Sequence, residues 1–201
     1  LANVGSLVDA EEGIASGAEG IGLLRSELLF LDRANVPSED EQEAVYRAVA
    51  EAVGPERPIV VRTFDAGGDK PLRWLPLPEE ENPALGERGL RVFIDRPDLF
   101  RSQLRALLRV PEEYDVRVTF PMVSMLDEWR GAIADLEEER ERLGAPRRRA
   151  GMTVEVASAA ILAEAFLKEA GFVTIGTNDL TQFTLAMDRG HPRLSPRADA
   201  L

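Results

Sequence analysis

Cysteine is absent from all 201 residues, which excludes a disulfide framework and suits a reducing compartment such as the cytoplasm. Excess positive charge is absent too: the formal net charge is -12 and the isoelectric point lies near 4.7. Nucleic acid and anionic membrane surfaces both demand a basic face, so neither is expected as a partner. No apolar run approaches the roughly 20 residues of a membrane span, and no signal-peptide pattern opens the chain. Residue 1 is leucine rather than methionine and the sequence is already strand-like there, so a piece of a longer polypeptide is expected. Basic residues run together only at Arg147-Arg148-Arg149, close to Gly144 and Pro146, where a solvated loop is the expectation.

What is present is an ordinary globular composition, 44% hydrophobic and 30% charged, sufficient for one good-sized core. Short β-branched runs alternate with helical spacing along the chain. Ala2 to Val4, Ile21 to Leu24, Pro58 to Val61, Val116 to Pro121, Met152 to Val154 and Val173 to Ile175 read as strands. Between them, Leu7 to Ala15, Ser38 to Gly54, Leu99 to Leu108, Trp129 to Leu143 and Ala159 to Ala170 carry helical patterns, and another takes over after Gly176. Ser38 with Glu41 three residues on is a capping-box signature. The stretch from Pro71 to Gly89 is proline-rich without periodicity, the kind of long loop that is either a functional lid or disordered. Strand and helix alternate about six times, the rhythm of a parallel α/β sheet. A doubly wound sheet and a (β/α)8 barrel both fit that rhythm; a barrel needs eight units and about 250 residues, so on that architecture the chain holds a truncated barrel.

The polar residues at the strand ends form a set. Arg25, Arg62, Glu155, Asn178 and Asp179 each follow a strand, with Arg189 in the loop after the last helix, and in a parallel barrel they converge on one face. Arginine grips phosphate or carboxylate through a planar fork, and three arginines suit a dianion. Two carboxylates on neighbouring strands suit Mg²⁺, which takes one or two protein oxygens and leaves its other positions to water and substrate. Such a set specifies an anionic phosphate ester bridged by Mg²⁺, and phosphoryl transfer is the chemistry that needs positioning and charge neutralisation above all. Asp179 is also placed to be no more than a helix cap. His191, the single histidine, stands in Arg189-Gly190-His191-Pro192 with no partner base nearby and reads as a surface residue. Gly17 to Gly22 is not a dinucleotide loop, because its glycines precede a strand; Gly67-Gly68-Asp69-Lys70 lacks the phosphate-loop spacing and reads as a turn from which Lys70 can reach an anion.

Four longer motifs, Gly20 to Glu27, Val61 to Lys70, Glu81 to Gly89 and Ile175 to Gln182, closely resemble those of the phosphoenolpyruvate-binding domain of Enzyme I of the bacterial sugar phosphotransferase system. The resemblance covers the whole chain and implies one phosphoenolpyruvate-binding barrel domain over residues 1–201, incomplete at its C-terminus. It implies a homodimeric, cytoplasmic enzyme that passes the phosphoryl group of phosphoenolpyruvate to a histidine on a separate N-terminal domain and then to a phosphocarrier protein. Carried over by motif, Arg25, Arg62, Arg189 and Asn178 are implied to bind the substrate phosphate, Glu155 and Asp179 to hold Mg²⁺, and Lys70 and Arg88 to assist at the site. The family's general acid, a cysteine in a later motif, is not in this sequence; Ala157 stands where the family usually has proline, and Ala170-Gly171 replace an acidic residue. The isolated chain is therefore expected to bind Mg²⁺ and phosphoenolpyruvate without turnover. Alternatives are the similar barrel of pyruvate phosphate dikinase or phosphoenolpyruvate synthase, the same domain fused into a multiphosphoryl transfer protein, and a non-catalytic dimerisation module.

Overall fold

A computed structural model of the chain describes residues 1–30, 33–67 and 72–197. Six strands, β1 (Ala2–Val4), β2 (Ile21–Arg25), β3 (Ile59–Arg62), β4 (Val116–Phe120), β5 (Arg149–Val154) and β6 (Val173–Ile175), form one all-parallel sheet in sequential order. Parallel neighbours need crossovers, and the helices supply them: α1 (Leu7–Ala15), α2 (Glu39–Val53), α3 (Pro97–Leu108), α4 (Leu126–Leu143), the short pair α5 (Ala157–Ile161) and α6 (Ala163–Leu167), and α7 (Thr177–Leu185) after the last strand. The result is a half-barrel of alternating strands and helices. All strands run the same way, so their C-terminal ends lie along a single rim.

Local chemistry sets these elements. Ser38 accepts from the Glu41 amide while the Glu41 carboxylate accepts from the Ser38 amide, so both ends of the expected capping box close at the start of α2. Pro97 opens α3 where its missing N–H costs nothing, and Gly144 closes α4 in the left-handed conformation, φ 61°. The core between sheet and helices is joined by an unbroken run of ring contacts, Tyr46, Phe30, Phe64, Trp74, Phe93, Phe100, Phe120 and Trp129, with centroids 5.4 to 6.5 Å apart. A chain with only 6% aromatic residues has gathered most of them into one seam. Edge-on and offset ring pairs add roughly 0.5 to 1.5 kcal/mol each beyond burial.

Three sequence expectations change. The arginine run is not a solvated loop: Arg149 begins β5, and Arg148, only 8% exposed, donates to the carbonyls of Tyr114 (3.0 Å), Pro111 (3.3 Å) and Val110. Those carbonyls lie in the α3–β4 connection, where strand and helix partners are lacking, and the guanidinium satisfies them. The stretch after Pro71, expected as lid or disorder, is anchored at its two ends, with residues 76–87 between them exposed or half-buried: Leu72, Trp74 and Leu75 are buried at one end and Arg88 and Gly89 at the other, and the Trp74 indole N–H donates to the Phe30 carbonyl (3.0 Å). Gly67 pairs with Arg88 at φ 98°, and a Cβ there would meet the Glu87 carbonyl oxygen at 2.0 Å, so only glycine fits. Finally, the single helix expected over residues 159–170 is two short helices that break at Leu162.

Among the described residues β1 and β6 do not pair with each other. Apolar side chains stand exposed beside the β6 edge, among them Ile161, Leu167, Ile175 and Leu185.

Candidate functional site

Parallel strands place whatever follows their last residue on the same rim, so the polar residues at the strand ends meet. Arg25 ends β2 and is the register partner of Arg62, which ends β3. Glu155 follows β5 directly; Asn178 and Asp179 lie in the first turn of α7, just after β6. Together with Arg189, these six residues line one cavity of about 530 Å³. Thr153 and Thr174, neighbours on β5 and β6, also line it, and the Thr174 hydroxyl is hydrogen-bonded to that of Thr153 at 3.2 Å. Lys70 lies outside the described residues. Arg88 is not part of the lining; it is 1% exposed and sits behind the cavity. His191 is exposed, as expected of a surface residue.

The charges are arranged alternately. Arg62 donates to Glu27 Oε1 at 2.5 Å and pairs with Asp65 Oδ2 at 3.1 Å. Asp65 in turn accepts from Arg88, Nε to Oδ1 at 3.1 Å and Nη2 to Oδ2 at 3.2 Å. The other side of the Arg88 guanidinium grips Asp179, Nη1 to Oδ1 at 2.7 Å and Nη2 to Oδ2 at 3.0 Å, and Arg189 Nη1 approaches Asp179 Oδ2 at 3.4 Å. Glu27, Arg62, Asp65, Arg88 and Asp179 are all buried, so each needs an opposite neighbour to be tolerated in ionised form. Burial acts to lower the affinity of Arg62 for its proton, but Asp65, Glu27 and Glu155 more than offset it and hold that arginine above its ordinary value. Arg88 is likewise raised, by Asp179 and Asp65 against its burial. Asp179 is therefore no helix cap: no side chain caps α7, and its carboxylate is spent on the two arginines.

Glu155 is different. It is 1% exposed and its carboxyl is pushed up to about 7, chiefly by burial and then by the negative charge of Asp65, with Arg62 and the Met122 amide opposing and Asp179 adding to the rise. The Met122 amide reaches Glu155 Oε1 at 2.7 Å from a left-handed backbone, φ 57°, a conformation that costs a non-glycine residue of order 1 kcal/mol or more. On the other side Gly176 leaves room for the carboxylate, since a Cβ there would stand 2.6 Å from Glu155 Oε2. The backbone has been bent to hold this carboxyl in place.

Two carboxyl side chains of the lining, Glu155 and Asp179, are the groups a hard divalent cation would take. A carboxyl raised by burial and by neighbouring negative charge, as Glu155 is, is stabilised as an anion when a cation arrives, and Asp179 already accepts from Arg88 on both oxygens and from Arg189 on Oδ2. Among the described residues no three or more His, Asp or Glu side chains gather as a self-sufficient metal cage; Glu155 and Asp179 alone would leave a Mg²⁺ ion most of its positions for water and substrate oxygens.

A family profile described as "PEP-utilising enzyme, PEP-binding domain" matches residues 1–201. The chain belongs to this family. Within it, the chain is 46% identical over 201 residues to a multiphosphoryl transfer protein of Rhodobacter capsulatus, covering 100% of itself and 24% of that protein. It is 46% identical over 200 residues to the phosphoenolpyruvate-protein phosphotransferase of Latilactobacillus sakei and 48% identical over 200 residues to that of Staphylococcus carnosus, covering 96% of itself and 35% of each. The chain thus spans between about a quarter and about a third of the length of these relatives. Among solved structures, a citrate lyase from Burkholderia xenovorans superposes with a TM-score of 0.54 at 17% identity, covering 96% of this chain and 51% of that one, a likeness of fold alone.

Sequence reasoning had no role for Glu27 and Asp65, which turn out to be the countercharges of the arginines. A signal existed: both lie two or three residues beyond a strand-end arginine, Arg25 and Arg62. Arg88, expected to assist at the site, directs its donors to two carboxylates, Asp65 and Asp179.

Proposed function

We propose that this chain is the phosphoenolpyruvate-binding part of a phosphoenolpyruvate-protein phosphotransferase, a cytoplasmic transferase of sugar uptake. The observation that carries it is the shared cavity: three arginines, Arg25, Arg62 and Arg189, and two carboxylates, Glu155 and Asp179, line one volume large enough for a small phosphate ester. The arginines receive the phosphate, with the Asn178 amide adding a donor; Glu155 and Asp179 would hold Mg²⁺, which when bound supplies charge neutralisation between phosphate and protein. In a chain of net charge -12 the cavity lining, with three arginines against two carboxylates, is not itself acidic in excess, which favours an anion at the rim. Arg88 and Asp65 keep the charged side chains in register while the site is empty of substrate. The phosphoryl group is then passed to a histidine on a separate domain and on to a phosphocarrier protein, as the resemblance implies; the names of the relatives support transfer to a protein acceptor. We take the working enzyme to be a homodimer, as the resemblance implies.

Calorimetric titration of the chain with phosphoenolpyruvate, with and without Mg²⁺, tests this. Binding that requires Mg²⁺ and is lost in Arg62→Ala is expected. No detectable binding by the folded chain at millimolar ligand overturns it.

A further inference from the structure

We infer that Glu27 is a positioning residue for Arg62, and that it aims the guanidinium into the cavity at the expense of some of its pull on an anion. Glu27 is 1% exposed, does not line the cavity, and is fixed to Arg62 through the 2.5 Å contact from Nη2 to Oε1. On its other terminal nitrogen Arg62 meets Asp65 at 3.1 Å. The guanidinium plane is therefore pinned at two points, by a carboxylate from the end of β2 and one from the end of β3.

The spacing of those two carboxylates is itself fixed from behind. Gln103 on α3 is fully buried; its amide donates to Ser26 Oγ and Tyr46 Oη, each at 2.9 Å, and its oxygen accepts from the Phe64 amide at 2.9 Å. Ser26 precedes Glu27 and Phe64 precedes Asp65, so one side-chain amide ties together the two segments that carry the clamp.

A stability role explains this poorly. Two buried charges repay their lost hydration only when geometry and hydrogen bonding are complete, and here Glu27 Oε2 and Arg62 Nε have no hydrogen-bond partner among the described residues. Charge balance alone does not require a second carboxylate in direct contact, because Arg62 also meets Asp65, which it shares with Arg88, and feels the charge of Glu155. What Glu27 adds is a second point of attachment, which removes the rotational freedom of a long side chain whose planar fork must match an anion.

Because the inference rests on the function proposed above, its test needs one arm that does not. In the first arm, phosphoenolpyruvate with Mg²⁺ is titrated calorimetrically into the wild-type chain, Glu27→Gln and Glu27→Ala. A residue that only subtracts positive charge makes both variants bind tighter than wild type. A positioning residue gives the opposite order: Glu27→Ala weaker by about tenfold, and Glu27→Gln, which keeps an acceptor oxygen for Arg62, within about threefold of wild type, as expected for a charge-assisted hydrogen bond partly rescued by a neutral one. Either variant binding tighter than wild type overturns the inference. The second arm follows the side-chain nitrogen signals of Arg62 by NMR without ligand, assigned by their loss in Arg62→Lys. Resolved, slowly exchanging Nη signals in wild type that broaden in Glu27→Gln and Glu27→Ala are expected, and equally sharp signals in both variants overturn it. A wild-type chain that binds no phosphoenolpyruvate overturns the proposed function instead, and the guanidinium signals then decide the role of Glu27.

Discussion

Two arginine–carboxylate lattices run through this molecule, and they differ in depth. The inner one, from Glu27 through Arg62, Asp65 and Arg88 to Asp179, is buried at the strand ends. The outer one joins the exposed faces of α2, α3 and α4: Arg109 meets Glu39, Asp40 and Glu43, Arg105 meets Glu39 and Glu139, and Arg101 meets Asp135, Glu138 and Glu139. Drawn as contacts they look alike. Energetically they differ, because water reaches most partners in the outer lattice, the buried Glu139 excepted, and few in the inner. The outer lattice tolerates loss, whereas the inner one binds its members to a single arrangement.

The sharpest way to break the contrast is Arg88→Ala, which leaves Asp65 and Asp179 facing a cavity where their shared cation stood. A loss of about 3 to 5 kcal/mol is expected, read from the urea midpoint at unchanged slope. Next comes Glu155→Gln. The folded-state value near 7 lies above the unfolded 4.5, so the contribution of Glu155 to stability is complete below pH 4.5 and is lost as pH rises to 7; in EDTA at pH 8 the neutral variant is expected to be more stable by about 2 to 3 kcal/mol. The same variant is expected to lose the Mg²⁺-dependent rise in melting temperature that the wild-type chain shows under the proposed function, and calorimetry across pH with and without Mg²⁺ checks both. Arg109→Ala, in the outer lattice, is expected to cost about 0.5 kcal/mol and no more than about 1 despite its three partners. Smallest is the effect of salt: raising NaCl to about 0.5 M is expected to erase the Arg109→Ala difference and to leave the Arg88→Ala difference standing. Equal costs for the two arginines would dissolve the distinction between the lattices.

The depth of a charge is also what the sequence conceals. A strand-end arginine is legible because an apolar β-branched run stops at it, as Val60-Val61-Arg62 does, and parallel topology then implies that such residues share a rim. The capping box at Ser38 and Glu41 is legible because it is a local bargain between residues three apart. Glu27 and Asp65 were not, since a carboxylate close to an arginine in sequence is most often a solvated pair, and only the fold around β2 and β3 buries them. Arg148 was misread for the same reason: a run of three arginines gives no hint that the middle one answers backbone carbonyls 34 to 38 residues away. The segment after Pro71 holds its place by Leu72, Trp74 and Leu75, too few anchors to produce a period.

Trp74 gives that segment a further property. Its ring is 6% exposed, bonded through its N–H to Phe30 and packed 5.4 Å from Phe64, and the other indole, Trp129, is 2% exposed in the deep core against Phe120. The two therefore report on different events, the first on release of the segment that carries it and the second on dissolution of the helical layer. With Trp129→Phe in place, the emission of Trp74 becomes a built-in optical gauge: a red shift that precedes the loss of helical ellipticity during titration with urea registers the segment lifting from its aromatic seat while the half-barrel is still intact.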